Sequence, residues 1–447
     1  MKTKLFSIFL LSVLTIGSLS PVASQITAVP ATASSAVSEF DVNGMKVLIK
    51  RRPGTPTVSA GLFFRGGVRN MMADTAGLEA FTLSVATEGS KNFPRTVLRK
   101  ETARIGTVIA PGSSYDFSAL ALGSTKENFD LSWRMFTDVA LNPTFAAESV
   151  ERVRTNILTA LKSESDSPEG SLELLNKRTV FEGHPYKNGP EGTSANIGRF
   201  KAADLAAHHK NLMQTSRLLL VVVGDVEPEA LRQRVAATFG SLPRGEYKET
   251  AVPTISFLKP TVEITEKSLQ TDYVKGVFAA PSIRDADYYA MRVAITILQT
   301  NVFQEVRVKR NLSYAPDASL DERSANTASI SVSSVNPNEA ISVMLDEIKK
   351  LREQPNDEAD LAGMAGFFLT THYLKQETNA AQVADLAQYE LIGGGWRNSL
   401  AFLDRIRQVK PAEVQDAAKK YMKNVRFVVV GDPKRIDKTI FLQAAGN

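Results

Sequence analysis

The sequence predicts an α+β protein of two related halves, each mixing antiparallel strands with amphipathic helices. Three observations predict it. First, an apolar strand ending in a Gly-Asp turn occurs twice, as Leu220-Val221-Val222-Val223-Gly224-Asp225 and as Phe427-Val428-Val429-Val430-Gly431-Asp432. Second, a charged helix precedes each copy in nearly the same register. It reads Lys201-Ala202-Ala203-Asp204-Leu205 with Met213 further on, and then Lys410-Pro411-Ala412-Glu413-Val414 with Met422. Third, Pro243, Gly245, Pro253 and Pro260 crowd the stretch between the copies, which breaks regular structure and suits a linker. Such a strand ending recurs by chance, but the flanking helix at matching spacing makes duplication the better explanation.

In chain order, Lys2 and Lys4 precede an apolar run over 5–16, and small residues follow through Ser24. This order predicts a secretory signal peptide over 1–24. The run is too short for the ~20 residues that cross a bilayer, although a retained N-terminal anchor is the alternative. Cleavage there removes two lysines and no acid, taking the net charge from +5 to +3. An exported protein, periplasmic or extracellular, follows, with no membrane span after signal removal. Residues 25–39 are small and mostly uncharged and predict a flexible leader. The N-terminal half spans 40–240, with strands over 45–49 and 57–64. Its helix over 148–164 gathers Val150, Val153, Ile157 and Leu161 on one face. The linker covers 241–260 and the C-terminal half 261–447.

A chain of 447 residues is long enough for two cores, and 43% hydrophobic with 23% charged residues is the balance of a globular protein, not a disordered one. With no cysteine, disulfides, thiolate metal sites and cysteine nucleophiles are excluded. Basic residues come in short groups such as Lys50-Arg51-Arg52 rather than as a stripe, so no nucleic-acid partner is expected.

The run Gly77-Leu78-Glu79-Ala80-Phe81-Thr82-Leu83-Ser84-Val85-Ala86-Thr87-Glu88-Gly89-Ser90-Lys91 has the frame of a metal-binding helix without its donors. It resembles the zinc helix of the insulinase and pitrilysin-like peptidases, an inverted His-x-x-Glu-His that sets two imidazoles four residues apart on one face. In that frame the histidine positions hold Ala80 and Ser84, and the position of the catalytic glutamate holds Leu83. The family's third ligand, a glutamate on a later helix, falls by spacing at Ala160. Zinc takes lone pairs from imidazole, carboxylate or thiolate, and these four positions supply none. The resemblance therefore implies no metal, no cofactor and no catalytic residue on this chain. Of the four histidines, His184 resembles the structural histidine of the family's His-Pro-Tyr turn. His208 and His209 diverge by about 100° on a helix and cannot share a metal, and they read as surface or capping residues. His372 is the fourth.

Further on, Phe303-Gln304-Glu305-Val306-Arg307-Val308-Lys309-Arg310-Asn311-Leu312-Ser313-Tyr314 resembles the signature of the family's second half. In two-chain members similar to the mitochondrial processing peptidases, this arginine and tyrosine belong to the zinc-less subunit and hold substrate near the partner's metal. The resemblance implies substrate binding by Arg307, near a helix end, and Tyr314, at the start of the next strand. Arginine offers five permanent donors to peptide carbonyls or a terminal carboxylate, and a tyrosine hydroxyl can donate to a developing oxyanion. One departure is the family's glycine-rich loop, which is shortened here to Ile297-Leu298-Gln299-Thr300-Asn301-Val302-Phe303. Gly393-Gly394-Gly395-Trp396 reads as a turn between helices.

The resemblance runs from about residue 40 to 435 and implies a clam-shell of two homologous halves. It also implies a function: a non-zinc-binding subunit of an exported heterodimeric metallopeptidase. Such a subunit binds peptide or unfolded polypeptide beside a homologous partner that carries the zinc, and activity requires that partner. The alternative is a non-enzymatic scaffold or polypeptide-binding protein of the same fold. An independent hydrolase finds no support, for there is no Gly-x-Ser-x-Gly elbow and no phosphate-binding loop.

Overall fold

The structure, a computed structural model, describes residues 37–443. The expected signal peptide, the leader up to residue 36 and residues 444–447 lie outside the described residues. β1 (Val37–Val42) and β2 (Met45–Arg51) form a hairpin through Asn43 and Gly44, both at positive φ (53° and 92°), the turn this dipeptide favours. Residues 37–39, assigned above to a flexible leader, are therefore strand. The two-residue turn fixes the register, pairs Ser38 with Ile49 and buries Val37.

β3 (Thr57–Arg65), β4 (Val108–Ser113), β5 (Phe117–Thr125) and β6 (Leu218–Gly224) complete a sheet of order β1-β2-β6-β3-β5-β4. Within it β2 and β6 run parallel and the other neighbours antiparallel. The second half builds β7 (Thr261–Glu266), β8 (Asp272–Ala280), β9 (Asp317–Leu320), β10 (Asn326–Ser334) and β11 (Arg426–Gly431). Their order is β7-β11-β8-β10-β9, with β7 and β11 parallel. Without β1, the two sheets have the same order and the same parallel pair, so the halves are duplicates in topology.

The repeat extends to local geometry. Asp204 accepts the backbone N–H of Lys201 at 2.7 Å, and Glu413 that of Lys410 at 2.8 Å; each carboxylate satisfies a donor left free at a helix start. The helices stop at Met213 (φ −82°, ψ 58°) and Met422 (φ −79°, ψ 62°), nearly identical turns into β6 and β11. The glycine that ends each strand is there for space. A Cβ on Gly224 would stand 2.9 Å from the Thr57 carbonyl, and one on Gly431 would collide with the Asp272 carboxylate.

Helices are exchanged between the halves. Helix Pro168–Val180 of the first half carries Leu172 and Leu175 into a cluster with Val277, Val428 and Val430 of the second sheet. Helix Asn379–Ile392 of the second half returns Val383, Leu386 and Ala387 to Phe63, Leu219, Val221 and Val223 of the first. The opposite face of the first sheet packs Val58, Ala60, Leu62 and Phe64 on its own helices through Trp133, Phe136 and Phe239. Covered on both sides, β6 is buried at every position, which is why its sequence is an unbroken apolar run.

Residues 241–260 hold no helix or strand, yet they are fastened along their length. Thr215 and Ser216 donate their N–H groups to the Pro243 and Arg244 carbonyls at 3.0 and 2.9 Å, and Ile255 is buried. The His184 ring meets the Pro253 carbonyl at 2.9 Å.

Candidate functional site

Helix Leu78–Ala86 is seated by close backbone contact. Gly77 sits at φ 88° and Gly192 at φ 75°, and a Cβ on Gly192 would lie 2.5 Å from the Gly77 Cα. Asn196 adds hydrogen bonds to the Ala73 and Ala76 carbonyls at 2.8 and 3.2 Å. Gly77-Leu78 and Glu191-Gly192-Thr193, far apart in sequence, are thus two sides of one joint.

The helix face that the frame assigns to a metal carries Ala80 and Ser84, both half-buried, and Leu83, wholly buried in the first-half core. Ala160 lies exposed on helix Ala147–Asp166, which packs against the same helix. Methyl and isobutyl groups have no lone pairs, and one serine hydroxyl is a poor ligand, so these side chains do not fit zinc. Among the described residues no group of three or more His, Asp or Glu side chains is placed to hold a metal ion.

The acid this helix does carry, Glu79, is committed elsewhere. It is buried and pairs with Arg217 at 2.9 Å, with His208 Nε2 at 3.4 Å. Arg217 in turn donates Nε–H to the Arg65 carbonyl at 2.9 Å and lies over the Tyr247 ring at 5.1 Å. His209 is buried as well, its Nε2 2.8 Å from the Ala140 carbonyl, and burial lowers its pKa below the ordinary imidazole value. Reading these two histidines as surface or capping residues is therefore corrected. The helix that bears them packs on Leu78–Ala86 and turns both rings inward.

In the second half, helix Tyr288–Val302 runs without a break into a π-helical turn, Phe303–Lys309, so the segment before the Arg/Tyr stretch contains no loop. Arg307 lies in that turn. Its guanidinium stacks on the Tyr314 ring at 4.1 Å and faces the Phe303 ring at 5.0 Å. The chain then reverses at Asn311 (φ 51°), whose N–H bonds the Arg307 carbonyl at 3.1 Å, and Ser334 Oγ fixes the Leu312 carbonyl at 2.6 Å. Tyr314 is 79% exposed and lies in the loop before β9, not at a strand start. The reversal at Asn311 lengthens the connection and swings the ring back over Arg307.

The structure thus brings Arg307 and Tyr314 together and adds Phe303, which sequence reading left out. Its spacing of four from Arg307 on a helical segment was the available signal. The neighbouring charges are spoken for: Lys309 and then Arg310 hydrogen-bond Glu305 and hold its carboxyl down to about 2. Arg307 itself makes no ion pair or hydrogen bond through its guanidinium to any described residue. Oriented by two rings, it keeps its donors free.

Comparison with known proteins matches residues 46–194 to the model described as Insulinase (Peptidase family M16). Residues 199–365 match the Peptidase M16 inactive domain. Cytochrome b-c1 complex subunit 1 of Bos taurus mitochondria is 26% identical over 265 residues, 59% of this chain and 55% of that protein. The chain thus spans about half the length of that relative. The "Non-peptidase homolog YmxG" of Helicobacter pylori is 21% identical over 417 residues, 90% of this chain and 96% of that one. Among solved structures, a peptidase M16 inactive domain from Pseudomonas fluorescens shares the fold with a TM-score of 0.80 at 18% identity. That match covers 89% of this chain and 98% of the other.

Proposed function

The chain belongs to the insulinase family of peptidases, M16, and from that premise we propose that it is the zinc-less subunit of an exported heterodimeric metallopeptidase. In this reading it holds a peptide substrate beside a homologous, zinc-carrying partner. The observation that carries the proposal is Arg307, stacked between Phe303 and Tyr314 with its donors unused. A peptide carbonyl or terminal carboxylate can accept from that guanidinium at little entropic cost, because the two rings already fix its plane. The exposed Tyr314 hydroxyl offers a second donor alongside it. The signal-like N-terminus supports the exported location.

A second reading, a scaffold without a substrate, is favoured by one observation. Relatives of this chain include a protein named as a subunit of the cytochrome b-c1 complex and one named a non-peptidase homolog. Reconstitution with a His-x-x-Glu-His partner separates the two. Arg307→Ala and Tyr314→Phe are expected to lower peptide turnover several-fold or more while leaving assembly intact, since neither side chain is part of a core. If turnover in both variants equals that of the unaltered pair, or if the partner alone hydrolyses as well, the holding role is lost and the scaffold stands.

A further inference from the structure

A cleft of about 590 Å³ opens where the two halves meet the linker, and Arg307 is not among its lining residues. Its first-half wall carries Lys46, Arg65 and Arg69, and its second-half wall carries Arg284, Arg397 and the glycine turn at Gly394 and Gly395. Two carboxylates, Glu249 and Glu390, also line it.

Most of these charges are already matched. Lys46 pairs with Glu390 at 2.7 Å and Glu39 at 3.1 Å, and Arg397 reaches Glu39 at 3.5 Å. Arg69, with 5% of its side chain exposed, is clamped between Asp116 at 2.5 Å and Glu249 at 2.6 Å. Two guanidinium groups remain. Arg65, at the end of β3, and Arg284, in the loop after β8, have no carboxylate, hydrogen-bond or ring partner among the described residues. They come from opposite halves and line one concavity, where every acidic side chain is taken.

A lone arginine on a convex surface is merely solvated. Two unpaired guanidinium groups lining one cleft are like charges without a counter-ion, and a concave lining concentrates their positive potential. The group that relieves this is a planar or tetrahedral oxyanion, which matches the fork of guanidinium donors. The cleft volume falls within the range of small-ligand sites.

We propose that this cleft is an oxyanion-binding site in which Arg65 and Arg284 together hold a phosphate or carboxylate group and so bridge the two halves. The carboxylate source is the C-terminus of a peptide, and the phosphate source is a small polyphosphate. The glycine turn lies against Arg284: a Cβ on Gly394 would stand 3.8 Å from the Arg284 Cβ, whereas one on Gly395 (φ 114°) would meet nothing within 4 Å.

The test is isothermal titration of the full chain at low salt with inorganic pyrophosphate, with a free-acid hexapeptide and with the same peptide amidated at its C-terminus. One site per chain is expected, weakening as salt rises. Arg284→Gln or Arg65→Gln is expected to weaken it tenfold or more, and Arg104→Gln, on helix Arg95–Ile105 and outside the cleft lining, to leave it unchanged. Pyrophosphate binding alone identifies the phosphate source. Binding of the free-acid but not the amidated peptide identifies the carboxylate source. Failure of all three probes, or binding that persists in the double Arg65→Gln, Arg284→Gln variant, overturns the proposal. Arg284 is exposed and its substitution does not touch a core, so that variant decides the matter should Arg65→Gln fail to fold.

Discussion

At the scale of single residues, Glu79 shows how the helix was reassigned. It occupies the position just before the family's first histidine, and it now serves structure. Its carboxylate and the Arg217 guanidinium are both almost wholly buried, and Glu79 Oε1 has no hydrogen-bond partner. A buried pair of this kind gains little over an apolar substitute, but breaking it on one side strands a charge. Arg217→Ala is therefore expected to cost about 3–5 kcal/mol, read from the urea midpoint. Removing Glu79 as well should restore part of the loss, because the two sites share one interaction. A loss below about 1 kcal/mol for Arg217→Ala would show that water reaches the carboxylate.

At the scale of elements, the two strand-ending glycines explain a motif that otherwise looks decorative. Each lets the chain leave the sheet past an obstacle, the β3 backbone for Gly224 and the Asp272 carboxylate for Gly431. Gly54 makes the comparison clean: it also has positive φ (77°), but a Cβ there meets nothing within 4 Å. Gly54→Ala is expected to cost about 1 kcal/mol from backbone strain alone. Gly224→Ala adds a collision with backbone and is expected to cost about 2–3 kcal/mol or more. Thermal unfolding of the two variants checks the order, and equal losses would mean that β6 shifts to make room.

At the scale of the molecule, the exchanged helices decide how the chain comes apart. Removing helix Asn379–Ile392 would uncover Phe63, Leu219, Val221 and Val223, and removing Pro168–Val180 would uncover Val277, Val428 and Val430. Neither half covers both faces of its own sheet, so calorimetry of the described chain is expected to show one transition with equal calorimetric and van't Hoff enthalpies. The fragment 37–260 by itself is expected to aggregate through its uncovered sheet face. Two resolved transitions, or a soluble monomeric fragment with native far-UV dichroism, would contradict this interlocking.

Much of this was open to reading from the chain alone, because it depends on local rules. Alternation and unbroken apolar runs specify strands, the Lys-x-x-Asp and Lys-x-x-Glu starts specify two matching helices, and the lack of donors at Ala80, Leu83, Ser84 and Ala160 needs no coordinates. What only the tertiary structure decided are the meetings between residues far apart in sequence. Gly77 touches Gly192, Glu79 finds Arg217, each half borrows a helix from the other, and Arg65 and Arg284 arrive unpaired in one cleft. Sequence spacing fixes a side chain's direction along its own element. Which partner it meets depends on how whole elements pack, and that is settled by burying apolar faces across the entire molecule.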